Sequence, residues 1–397
     1  MQAIIISFDS LAANSLGCYG NEWIETPHWD RLAATGAVFD RHFADTLGPQ
    51  AGMAWATGQH ALSASSSTRP ASLGARLKSL GVVSRLIAAG GFQDWQRNAD
   101  FDDVQFVNGR EGFDAKPEEV PLAQAVTAGL SSGKISSASE VFRLLWLHVP
   151  GPGAPPEGFD SLYFEDFEER GQLIEELSDE SRAEHPAVYA GTVSLLDYWL
   201  GELLVHLESV AAAEPTLVIV MAARGHLWHQ IKPSRLNEAQ GPQQRLNDQR
   251  ARTPLVLRVT GDDRFTDFCS LRSDRLVQTC DLMPTLWDWF GGARDALDPS
   301  IKGQSWLREL TEEASARQLL RIGDEGTARA VRTADWLFIR DSSMESTSSA
   351  SANGYAGTSL FIKPEDIWDV NNVASQQPEI VQELLGQLVP PPNPVEI

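Results

Sequence analysis

The sequence predicts an α/β fold: a large doubly wound, mainly parallel sheet with a small C-terminal α+β subdomain. Three observations carry this. Near-continuous apolar runs recur along the first 260 residues, as strands buried on both faces require. Segments with helical start and stop signals alternate with them. After Arg321 the pattern changes to short, closely spaced strand-like runs.

The first strand is residues 4–8 (IIISF), a β-branched run stopped by Asp9. Residues 27–36 form the first helix, with Thr26 as N-cap, Pro27 in the first turn and Gly36 at the end. Strands follow at 80–88 (LGVVSRLIA), 141–149 (VFRLLWLHV), 216–221 (TLVIVM) and 254–259 (PLVLRV). Between the strands at 141–149 and 216–221, residues 186–210 read as a long helix with a broad apolar face that includes Val188, Leu196, Leu200 and Leu204. Residues 281–291 form another helix, capped by Asp281 and closed by Gly291-Gly292. The stretches 150–160, 233–252 and 342–359 read as irregular, the last as a mobile hairpin loop. Strands at 328–340 and 358–362 and a helix at 378–388 complete a subdomain over 321–397, after a main domain over 1–320. No internal repeat is visible. Ligands of doubly wound sheets sit at the carboxyl ends of strands, which is where Asp9 and Ala222-Ala223-Arg224-Gly225 fall.

The chain has 397 residues, enough for a large core, and a net charge of -22. That charge opposes nucleic acid and anionic membranes as partners. No apolar stretch approaches a membrane span and no secretory leader is visible, so a cytoplasmic location is expected. Cys18, Cys269 and Cys280 have no metal-type spacing and read as buried reduced thiols. Nothing in the sequence names a ligand, and the partner, a second copy or another protein, is left open.

Several segments resemble the sulfatase family. Residues 3–20 (AIIISFDSLAANSLGCYG) resemble its first strand and loop, and 26–39 (TPHWDRLAATGAVF) its first helix. Ala56-Thr57-Gly58 resembles the Leu-Thr-Gly closing the nucleophile helix. Residues 189–204 (YAGTVSLLDYWLGELL), Arg252-Thr253-Pro254-Leu255-Val256, Asp281-Leu282-Met283-Pro284-Thr285-Leu286 and Ile367-Trp368-Asp369-Val370 resemble later blocks in the family's order. The resemblance implies the alkaline phosphatase superfamily fold.

The resemblance also exposes what is missing. A sulfatase carries Cys-x-Pro-x-Arg or Ser-x-Pro-x-Arg, whose first residue becomes formylglycine. Here Pro49 is kept, but Leu47 stands at the nucleophile position and Ala51 at the arginine position. The family's metal ligands, usually for calcium, fall on Asp9, Ser10, Ala223 and Arg224, and only Asp9 is a carboxylate. The family's lysine falls near Gln244, with Lys232 a substitute only under a shifted register, and its histidine falls on Gly151. Thr46 beside the nucleophile position reads as a helix cap, and His226 and His229 as pocket-edge histidines able at most to donate a proton. The sequence therefore predicts a degenerate sulfatase-like site without a cofactor. An Asp9–Arg224 ion pair is expected in place of the metal, and the protein would act by binding or assembly. The alternative is a sulfuric or phosphoric ester hydrolase with a rearranged pocket built from Asp9, Thr46, Lys232, His226 or His229, with calcium as its metal.

Overall fold

The computed structural model describes the chain apart from residues 49, 64–69, 92, 132–141, 157, 160–161, 164–184, 211–213, 228–245, 312–314, 324–327, 342–356 and 389–397. Among the described residues the main sheet has eight strands. They are β1 (Gln2–Ser10), β2 (Ala37–Phe39), β4 (Ser84–Ala89), β5 (Asp103–Val107), β6 (Leu144–Val149), β7 (Thr216–Arg224), β8 (Leu255–Thr260) and β9 (Leu271–Ser273). Their order is β5-β4-β6-β1-β7-β8-β2-β9. From β5 to β7 neighbours are parallel, whereas β8 runs antiparallel to both β7 and β2. The short β3 (His42–Phe43) pairs with β10 (Val277–Gln278) apart from this sheet.

Alternation along β1 divides the core. Ile4, Ile6 and Phe8 face one layer, with α1 (Pro27–Ala34), α5 (Pro121–Ser131) and α6 (Pro186–Val210). Ala3 and Ile5 face the other, with α2 (Met53–Thr57), α3 (Leu73–Ser79), α4 (Asp94–Ala99), α8 (Leu282–Trp289) and α9 (Trp306–Leu310). A third sheet, antiparallel throughout, comprises β11 (Leu319–Gly323), β12 (Ala328–Thr333), β13 (Trp336–Asp341) and β14 (Thr358–Ile362). It is closed by α10 (Pro378–Gln387). No helix among the described residues is long and apolar enough to cross a membrane.

Several elements differ from the sequence reading. The strand expected at 80–88 begins at Ser84, because Leu80 caps α3 and Gly81 turns the chain at φ +69°. β11 was not anticipated and starts two residues before the expected boundary at 321. The tract at 233–252 ends in a four-residue helix, α7 (Asp248–Ala251), with Asn247 capping it through Arg250 N. Thr26 gives no side-chain cap to α1; its hydroxyl accepts from Gly17 N at 2.8 Å. Asp197 from α6 caps α1 instead, accepting from His28 N at 3.0 Å and Trp29 N at 2.8 Å. Asp281 is likewise not a side-chain cap for α8; it is buried and forked by both Arg317 Nη atoms at 2.7–2.8 Å. Of the three cysteines, all free, Cys280 is buried, Cys18 half-buried and Cys269 exposed. The expected hairpin loop at 342–359 lies outside the described residues up to 356, and Thr358 and Ser359 already belong to β14.

Candidate functional site

The site is built on the carboxyl ends of β1 and β7. Both strands run farther than expected. Asp9 and Ser10 are the last residues of β1, Arg224 is the last of β7, and Ser10 pairs in register with Arg224. The backbone crossing continues as Leu11 N donates to Arg224 O at 3.0 Å. Parallel pairing with β1 therefore fixes where the Arg224 side chain starts. Its Nη2 donates to Asp9 Oδ2 at 2.7 Å and its Nη1 to the Leu47 carbonyl at 3.2 Å. The guanidinium thus joins the end of β1 to the segment at the nucleophile position. The pair is less secluded than a strand end in the core would make it, with Asp9 20% and Arg224 28% exposed.

The segment around Leu47 is held by the third sheet. Leu47 N donates to Gly323 O at 2.9 Å, Gly323 N to Asp45 O at 3.0 Å, and Thr46 bridges to Gly323. The Leu47 side chain is 1% exposed, in a cluster with Phe43, Ala44, Leu246, Leu320 and Ile322. Thr46 is also buried and does not cap a helix. Its Oγ1 accepts from Gly48 N at 3.2 Å, and α2 begins only at Met53, after Gly52 at φ +89°. Ala51 is buried in the layer that holds Trp55 and Trp95. Pro49 lies outside the described residues.

Gly151 stands where the resemblance places a histidine. Its φ is +121°, and a Cβ there would lie 2.3 Å from the Ser10 carbonyl oxygen. Both conditions require glycine, so this close approach to β1 leaves no room for a side chain. His226 stacks on Tyr189 with centroids 4.9 Å apart and planes 2° apart, and the Tyr189 hydroxyl accepts from Ala12 N at 3.1 Å. Burial, then the nearby Arg250 and Arg224 cations, push the His226 imidazole down to about 4. It is neutral at pH 7, so the proton-donor role weighed for it does not fit this environment. His229, Lys232 and Gln244 lie outside the described residues. The candidates brought together are therefore Asp9, Arg224 and Leu47, with Ser10 and Thr46 on the adjoining backbone.

Two polar groups behind this edge were not singled out from sequence. His148, in β6, has Nδ1 2.9 Å from Ser7 Oγ, which also accepts from Trp146 Nε1 at 2.7 Å; burial pushes this histidine down to about 4. Asp45 accepts from Thr279 Oγ1 at 2.9 Å and from Ala61 N at 2.7 Å, which fixes the turn into Leu47. An acid two residues before an apolar residue gives no signal of this in the sequence. Its sequence position just before Thr46 and Leu47 is the one trace of it.

The donor set does not fit a divalent cation. Ala223 has no side-chain oxygen and is buried in the apolar layer of α2 and α8. The Asp9 oxygen that faces the neighbouring strand already accepts from a permanent cation. Among the described residues no three His, Cys, Asp or Glu side chains cluster as metal ligands.

A family model described as Sulfatase matches residues 2–293. A steryl-sulfatase of Mus musculus is 46% identical over 41 residues, a match that covers 10% of this chain and only 7% of that protein's length. In structure, the chain is similar to a phosphonate monoester hydrolase of Agrobacterium radiobacter, with TM-score 0.71 and 15% identity over 98% of this chain and 94% of the other. It is similar to a phosphonate monoester hydrolase from Silicibacter pomeroyi at TM-score 0.69 and 16% identity, again over 98% and 94%.

Proposed function

The chain belongs to the sulfatase family, and we propose that within it this protein is a non-catalytic member that acts by binding or assembly. The observation that carries the reading is the position of the Arg224 guanidinium. It bonds the one remaining ligand carboxylate and the backbone of the nucleophile position together. Leucine offers no atom that can be oxidised to an aldehyde, and the Leu47 side chain is spent on packing. The Thr46 hydroxyl, next to Leu47 in sequence, is buried and turned onto its own loop. Among the described residues these groups offer neither an attacking atom nor a set of oxygen ligands for a metal that would polarise the ester, and this supports the non-catalytic reading.

The rival reading, a sulfate or phosphate ester hydrolase with a rearranged pocket, is decided by the same experiment. Intact mass should equal that of the unmodified chain. Aryl sulfate, phosphate monoester and phosphonate monoester substrates should show no turnover above a Leu47→Ala control, with or without added calcium or manganese. Turnover that exceeds this control and depends on either metal would establish the hydrolase instead.

A further inference from the structure

A second site lies beside this edge and stands apart from the reading of Asp9 and Arg224. A cleft of about 420 Å³ opens between the loop after β1, α7 and the C-terminal segment at Ile367 and Trp368. Its size falls within the range of small-molecule pockets, roughly 300–1,000 Å³. Arg252 lies on its wall, half-buried, and is fixed in an unusual way. Its Nε donates to the Asp40 carbonyl at 2.8 Å, and its Cζ lies 5.7 Å over the Tyr19 ring. That ring is itself anchored at its hydroxyl, which accepts from Leu255 N at 2.8 Å and donates to the Phe39 carbonyl at 3.1 Å. With Nε used and the plane backed by an aromatic face, the two Nη groups are left. Neither has a hydrogen-bond partner among the described residues. A guanidinium held in this way presents two parallel N–H bonds, the geometry that matches a carboxylate.

The other lining groups select further. Asp248 is paired elsewhere, its Oδ1 accepting from Arg332 Nε at 2.9 Å, and no side-chain bond joins it to Arg252 among the described residues. Trp368 is 42% exposed and Ile367 50%, which gives the cleft an apolar wall on its C-terminal side. Glu22 is exposed where the loop after β1 lines the cleft. It disfavours ligands with several negative charges, such as phosphate dianions.

We infer that this cleft binds a small organic monocarboxylate with a flat apolar body, its carboxylate on the Arg252 Nη pair and its body against Trp368. The test uses the full chain with benzoate, its neutral analogue benzamide, and inorganic phosphate, followed by calorimetry and ligand-observed NMR. Benzoate should bind saturably, at one site, and about tenfold or more tighter than benzamide. Phosphate should not displace it. Arg252→Lys keeps the charge but loses the fork and should weaken benzoate about tenfold. Trp368→Ala changes an exposed residue and should weaken it several-fold, so it decides the matter if Arg252→Lys does not fold. The inference is overturned by absence of saturable binding, by equal affinity for benzoate and benzamide, by displacement with phosphate, or by a benzoate affinity that Trp368→Ala leaves unchanged.

Discussion

At the residue scale the Asp9–Arg224 pair decides between opposed magnitudes. Exposed ion pairs contribute about 0–1 kcal/mol, whereas breaking a buried pair costs about 3–5 kcal/mol. Asp9 and Arg224 are 20% and 28% exposed, so water reaches both. Arg224→Ala is therefore expected to destabilise the protein by about 1–2 kcal/mol, part of it through the lost bond to the Leu47 carbonyl. Asp9→Asn in that background should recover part of the loss. A denaturant double-mutant cycle measures this, and additive losses would mean that the two side chains do not interact. Three histidines make a separate prediction. His42, His148 and His226 are each pushed down to about 4, first by burial. In the unfolded chain each takes a proton near pH 6.5, whereas the folded chain resists until about pH 4. Stability should thus fall as pH drops from about 6.5 to 4, on the order of 1–3 kcal/mol per histidine. Asp369, raised to about 6 by burial, works in the opposite direction over part of the same window. Denaturant melts across that range should show the fall, and a smaller one for His148→Gln. A flat profile would contradict the burial of these imidazoles.

At the element scale, legibility followed periodicity. The long helix was read with its exact ends, Pro186 and Val210, because its apolar face repeats over many turns. The sheet class was legible from near-continuous apolar runs. The strand ends were not, since Ala222 to Arg224 extend β7 only by pairing with β1, a contact remote in sequence. Caps failed for the same reason. Thr26 has the right chemistry, yet a carboxylate from another helix, Asp197, reaches the α1 amides first. The segment from Asp45 to Ala51 shows how this affects repair. Replacing Leu47 with Cys and Ala51 with Arg restores the family motif in sequence. It also removes a buried leucine from the cluster shared with Ile322 and puts a long cation into the layer of Trp55 and Trp95. Arg224 would still bond Asp9, and Gly151 would still exclude a side chain. The double variant, coexpressed with a formylglycine-generating enzyme, is expected to be at least about 2 kcal/mol less stable and to hydrolyse no aryl sulfate. Turnover by it would show that the rest of the site is competent.

At the scale of the whole molecule, the C-terminal sheet is joined to the large sheet by a core that neither part completes alone. Phe43, Ala44, Leu47, Ala251 and Leu276 come from one side, and Leu320, Ile322, Ala330, Leu337 and Phe361 from the other. Polar contacts cross the same boundary. Arg332 reaches Asp248, and Asp369 accepts from Asp248 N at 2.7 Å. The composition change after Arg321 announced the C-terminal sheet but could not reveal that its first strand holds Leu47. That contact joins residues far apart in the chain, and a leucine looks alike in any core. Separable domains share smaller, more polar interfaces and unfold apart. Here the interface contains the side chain at the nucleophile position, so loss of the C-terminal sheet would expose Leu47 and release the Gly323 bonds that shape its loop. The two parts are therefore expected to unfold together. Differential scanning calorimetry should give one transition whose calorimetric and van't Hoff enthalpies agree, and Ile322→Ala, in β11, should shift that whole transition down rather than split it. Two resolved transitions, with only the smaller moved by Ile322→Ala, would show that the shared cluster does not couple the sheets.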